Sequence, residues 1–258
     1  LLERLIDDMI VILPFEEAFY RRHGFQKVHY FGHPVLDKFE RGVTSPSRES
    51  EELTVGVLPG SRLSEWRHHI PIVNRVVENL ALIYPKARFL LPVARSMERN
   101  FGSFELSPLI RPVLGSASKS AVDCVLSRAH CALVASGTAT LEAALWGVPM
   151  IVFYRVSPLS AMLAKKLIKL PFVSLPNLIL GEKVVPEFLD KYEPGDVVRA
   201  MESLIEGSQA SCKGTARSEW ERQREAFRKI KDILGKPPIL DKIASHIANF
   251  IRNCHCQP

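Results

Sequence analysis

From Leu53 onward the chain alternates strand-sized apolar runs with longer stretches of helical period, the signature of a parallel sheet covered by helices on both faces. The apolar runs predict strands at Thr54–Leu58, Arg88–Pro92, Ile110–Leu114, Cys131–Ala135 and Pro149–Tyr154. Helices are expected between and after them, at Glu65–Ile83, Ser118–Arg128, Thr140–Trp146 and Pro158–Leu170. The fold class is therefore α/β. In such sheets ligands sit beyond the carboxyl ends of the strands, which directs attention to the loops after Leu58, Ala135 and Tyr154.

The flanks differ. Asp8–Phe15 (DMIVILPF) is a short apolar run ended by a proline region, and the helix-like EEAFYRRHG closes on Gly24, giving one strand–helix unit of a separate domain. Gly42–Glu52, rich in Ser, Pro and Glu, reads as a polar linker. After Gly195 the pattern is all helical, at Asp196–Glu206, Ser218–Leu234 and Pro238–Asn253, with Trp220–Arg224 read as a solvated face. The expected division is thus a remnant at 1–45, a sheet domain at 53–206 and a helical segment at 207–258.

Composition narrows the function. The 258 residues are 47% apolar and 24% charged, ordinary values for a globular chain, and cations exceed acids by 6. That surplus favours phosphates, nucleic acid or anionic lipid as partners. No aromatic platform accompanies the basic residues, so nucleic acid is not expected. No apolar stretch reaches the roughly 18 residues a spanning helix needs. The five cysteines, Cys124, Cys131, Cys212, Cys254 and Cys256, are odd in number and irregular in spacing, which fits a reducing compartment. Metal-ligand spacings are absent from the sequence, so no metal is expected. His33, beside Pro34, reads as a hinge or cap first and a base second; His68, His69 and His255 read as surface residues. Gly-x-Ser-x-Gly is absent, and with it the common hydrolase reading.

Three loops carry polar chemistry. In Pro59-Gly60-Ser61-Arg62, Gly60 lets the backbone approach a ligand, helix amides favour an anion and Arg62 can fork onto a phosphate; a plain strand-to-helix turn is the alternative. In Ser136-Gly137-Thr138-Ala139-Thr140-Leu141-Glu142 a strand delivers hydroxyls and a glycine to a helix start, and Glu142 can accept from a ribose; a simple cap is the alternative. Asn177, in Ser174-Leu175-Pro176-Asn177, can pair with a ring edge or a phosphate, or form an Asx turn. The helix Ala161–Leu170, with Lys165, Lys166 and Lys169, suits either a core or an anionic lipid surface.

GHPVLD at Gly32–Asp37, LPGSR at Leu58–Arg62, SGTATLEAALWGVPMIVFYRVSPL at Ser136–Leu159 and VSLPNLILGEKVVPE at Val173–Glu187 together resemble the lipid-A-disaccharide synthases. These are inverting glycosyltransferases built from two Rossmann-like domains facing across a cleft. The resemblance implies transfer of 2,3-diacylglucosamine from its UDP conjugate to 2,3-diacylglucosamine 1-phosphate, with a β-1,6 disaccharide and UDP as products and no cofactor. It implies a UDP-sugar set of Gly60, Ser61, Arg62, Ser136, Gly137, Thr138, Glu142 and Asn177, with Glu187 an acid near the donor. The base would lie in an N-terminal acceptor domain, of which only the last strand–helix unit is recognised here. No base is therefore named, and the 258 residues by themselves are expected to bind nucleotide without turnover. A non-catalytic UDP-sugar-binding module and another two-domain UDP-sugar enzyme are the rival readings. Lipid substrates imply a membrane surface as partner, with a peripheral location at the cytoplasmic face in a bacterium or in the mitochondrion of a eukaryote. A homodimer stays open.

Overall fold

The computed structural model describes residues 5–40, 52–116, 119–155, 171–209 and 218–255. The expected helix over 158–170, with its three lysines, lies outside them. Contacts group the chain into two compact units, one of residues 1–44 with 228–258 and one of residues 45–227.

In the first unit, β1 (Met9–Val11) and β2 (Val28–Tyr30) pair in parallel and α1 (Glu16–Arg22) connects them. The helix begins where the Glu16 carboxylate turns back to accept from the amides of Ile12 and Leu13. Glu16 and Glu17 in its first turn and Arg21 and Arg22 in its last complement the helix dipole. Val11, Phe25 and Val28 form a small core beneath.

The Gly32–Asp37 block works here as a clasp. Gly32 has φ +116°, and a side chain there would run into Leu234 and Ile239. His33 Nδ1 accepts from Val35 N at 3.1 Å at the start of α2 (Val35–Glu40), the cap expected from sequence. The buried Asp37 carboxylate accepts from Ile239 N and Leu240 N, both at 2.7 Å, and so caps α9 (Ile239–His255).

The second unit is built on a six-stranded, all-parallel sheet ordered β5 (Ile110–Leu114), β4 (Arg88–Val93), β3 (Thr54–Leu58), β6 (Cys131–Ala135), β7 (Met150–Tyr154), β8 (Glu187–Leu189). Every residue of β3 and β6 is buried, as unbroken apolar runs in a doubly covered sheet should be. One face is covered by α3 (Leu63–Ile83) and α7 (Pro194–Gln209), whose Val73, Val76, Val77, Val198, Met201 and Ile205 share one core with the strands. The remaining helices are α4 (Ala121–Leu126), α5 (Thr138–Leu145), α6 (Leu175–Leu180) and α8 (Glu219–Ile233).

Two expectations are corrected. The Trp220–Arg224 stretch of α8 is not wholly solvated: Gln223 is fully buried and its Oε1 accepts from Met150 N at 2.8 Å, while Trp220 Nε1 donates to His130 O at 3.1 Å. His69, read as a surface residue, is fully buried.

Strand order reverses direction between β3 and β6, and right-handed crossovers then carry α3 and α5 to opposite faces of the sheet. A crevice is left at the carboxyl ends of those two strands. Among the described residues no helix is long and apolar enough to cross a membrane.

Candidate ligand-binding site

A cavity of about 290 Å³ occupies that crevice. Gly60, Ser61 and Arg62 line one side, Ser136, Gly137, Thr138 and Glu142 the other. Two loops far apart in sequence meet because β3 and β6 are neighbours in the sheet.

The first loop is held by its own helix. His69 Nδ1 donates to Pro59 O at 2.7 Å and Trp66 Nε1 to Gly60 O at 2.9 Å. Glu65 Oε2 accepts from Ser61 N at 2.9 Å and from Arg62 N at 3.1 Å. Ser96 Oγ closes the frame by donating to Ser61 O. Gly60 needs its φ of +107°, and a side chain there would collide with Glu65.

This arrangement bears on the loop amides that precede α3 and not on the amides of the helix itself. Glu65 already occupies the amides of Ser61 and Arg62. The Arg62 side chain is 77% exposed and reaches Glu65 only at 3.4 Å, which leaves most of its guanidinium donors toward the cavity mouth and solvent.

The opposite loop differs. Gly137, with φ 152°, is the N-cap of α5 and gives that helix no side-chain cap, which leaves the positive end of its dipole facing the cavity loop. Ser136 Oγ donates to Val173 O at 2.9 Å, tying the loop to the next segment rather than capping the helix. Glu142 lies beyond the first turn of α5 and takes no part in capping that helix; its half-buried side chain lines the cavity. Tyr154 lines the same space, and burial, reinforced by nearby Glu65 and opposed by Arg62, raises its hydroxyl pKa.

Asn177 and Glu187 are not among the residues lining the cavity. Asn177 is fully buried and its amide is fully engaged: Nδ2 donates to Val185 O and Glu187 Oε1, and Oδ1 accepts from Val184 N and Val185 N, all within 2.8–2.9 Å. Glu187 also accepts from Ser174 Oγ at 2.6 Å and from the amides of Val173 and Ser174. The pair ties 173–177 to the sheet edge. Because Ser136 holds Val173, the same knot bears on the second cavity loop.

Sequence reasoning missed His69. Its Nε2 accepts from Arg155 N at 3.2 Å, which links the first loop to the end of β7, and burial lowers its pKa so that the ring stays neutral. The signal was present: Trp66, His69, Ile70 and Val73 follow helical spacing on one stripe of α3.

Comparison with known proteins agrees with this architecture. A family model described as lipid-A-disaccharide synthetase matches residues 1–232. Among curated relatives, the lipid-A-disaccharide synthase of Aquifex aeolicus is 32% identical over 92% of this chain and 61% of its own length. That of Nitrobacter winogradskyi is 35% identical over 79% of this chain and 52% of its own. The chain thus spans about half to two thirds of the length of the relatives it matches. Among solved structures, S. aureus MnaA with UDP superposes with TM-score 0.53 at 14% identity, covering 99% of this chain and 62% of that one. A Listeria monocytogenes putative UDP-N-acetylglucosamine 2-epimerase gives 0.53 at 12%, covering 92% and 57%. These structural likenesses speak to the fold alone, an α/β architecture. With a family match over most of its length and relatives above 30% identity, the chain belongs to the lipid-A-disaccharide synthetase family.

Proposed function

We propose that the sheet unit binds the nucleotide end of a UDP-sugar, and that the chain serves the transfer of 2,3-diacylglucosamine from its UDP conjugate to the 6-hydroxyl of 2,3-diacylglucosamine 1-phosphate. One observation carries the reading: two glycine loops from adjacent parallel strands converge on a single cavity, with the exposed Arg62 at its edge. Family membership supplies the reaction class.

The chemistry divides between the loops. Arg62 supplies the cation for the diphosphate, and the uncapped α5 terminus at Gly137–Thr138 supplies oriented backbone dipoles. Glu142, which lines the cavity, supplies on this reading the acceptor for ribose hydroxyls. As the sugar leaves UDP, charge builds on the diphosphate, and groups fixed in advance stabilise it without reorganising. Asn177 and Glu187 act as positioning residues, because their polar atoms hold the loops rather than face the cavity. The acylated substrates make a membrane surface the proposed meeting place, at the cytoplasmic face in a bacterium.

Isothermal titration of the 258-residue chain with UDP, ADP and phosphate tests the reading. One saturable UDP site that ADP fills more weakly supports it. Failure of UDP to bind, or equal binding by phosphate alone, overturns it.

A further inference from the structure

The first unit holds a cluster that the proposed reaction does not use. Asp8, His29 and His246 bring one ligand atom each to within 4.8 Å of one another. The geometry points to a site for a divalent transition-metal ion of the zinc class, bound by two imidazoles and one carboxylate.

The fold builds this set from three separated segments. Register pairs Ile10 of β1 with His29 of β2, and Asp8 shares a face with Ile10 through the two-residue period of an extended chain. Asp8 and His29 are therefore diagonal neighbours, and α9 lowers His246 onto the same face. Asp8 Oδ2 lies 2.6 Å from His246 Nε2, and Oδ1 lies 3.1 Å from His29 Nε2. The imidazole rings are 4.4 Å apart, and Phe31 packs against His246 at 5.0 Å as an apolar wall.

Two features favour a metal over a plain ion-pair network. Asp8 Oδ1 is shielded from solvent yet makes no hydrogen bond, since the His29 contact is near but misdirected. Both imidazoles also present the same Nε2 atom to one point. Ligand atoms about a tetrahedral zinc ion sit roughly 3.3 Å apart, given bonds of about 2.0–2.2 Å, so the Asp8 contacts of 2.6 and 3.1 Å with His246 and His29 must widen by a few tenths of an ångström to admit the ion. Two imidazoles with one carboxylate select a borderline ion such as zinc or cobalt over calcium or magnesium. Local spacing hid the site, because no two of the ligands lie within a motif's reach in sequence.

Cobalt(II) serves as the probe. The chelator-treated 258-residue chain is titrated with cobalt while visible absorption and thermal unfolding are followed. Expected are one saturable equivalent with the intense d–d bands of a four-coordinate ion, displacement by zinc, and a raised unfolding midpoint. His29→Ala and His246→Ala should each weaken binding by more than about 100-fold, beyond the roughly 10–100-fold that loss of an outer partner costs. Asp8→Asn preserves shape and covers the case of a histidine variant that fails to fold. His23→Ala, outside the cluster, should bind as the parent does. No saturable binding overturns the proposal. So does binding that survives all three cluster variants and is removed by Cys254→Ser with Cys256→Ser.

Discussion

Trp66 Nε1 donates to the carbonyl of Gly60 at 2.9 Å, joining a fully buried indole to the tightest point of the first cavity loop. With Glu65 and His69 beside it, three side chains of one helix hold four consecutive residues of the loop that precedes that helix. Loop and helix therefore form one rigid element, and the cavity wall is set by the packing of α3 against the sheet.

Gly60→Ala should disrupt this element. The residue would need a left-handed conformation and would press on Glu65, at a cost of about 1–3 kcal/mol. Urea unfolding should show a lower midpoint, and UDP affinity should fall with it.

Arg62→Ala separates binding from stability. The side chain is mostly exposed, so its loss should shift stability by no more than about 0.5 kcal/mol. Loss of a charge-assisted contact worth about 1.5–3 kcal/mol should weaken UDP roughly 10- to 100-fold. Unchanged affinity by calorimetry would remove Arg62 from the site.

Asn177→Ala should behave in the opposite way. It strips partners from two buried amides, a buried carbonyl and Glu187, and should cost about 3 kcal/mol or more. A variant that folds as stably as the parent but loses UDP would instead make Asn177 a direct ligand.

The pH dependence of stability follows from His69 and His33, both lowered in pKa by burial. The unfolded chain takes up protons near pH 6.5 that these folded sites reject, so their contribution is complete above that value and declines as pH falls below it. Urea midpoints measured between pH 7.5 and 5.5 should drop, and His69→Gln, which keeps a donor and an acceptor, should flatten the drop. An identical slope in the variant would show that His69 does not titrate in this window.

The central strands Thr54–Leu58 and Cys131–Ala135 were readable because each is buried along its whole length in a doubly covered sheet, and both match residue for residue; the edge strand Ile110–Leu114 matches as well, although it is largely exposed and broken by Arg111 and Pro112. The strand Glu187–Leu189 was not, since three residues opening on an acid give no periodicity. The cavity loops were legible as polar breaks after such strands. Asn177 looked like a ligand group for the same reason that it makes a good strut: an amide both donates and accepts. The Asp8, His29 and His246 cluster exists only through tertiary contact, which no local window contains.

Glu65 gives the cavity a selective character. By accepting from the amides of Ser61 and Arg62, its carboxylate takes those two donors away from any arriving anion. On the proposed reading, a diphosphate meets the Arg62 guanidinium on this side and the α5 terminus on the other, so it is held from two separate loops at once.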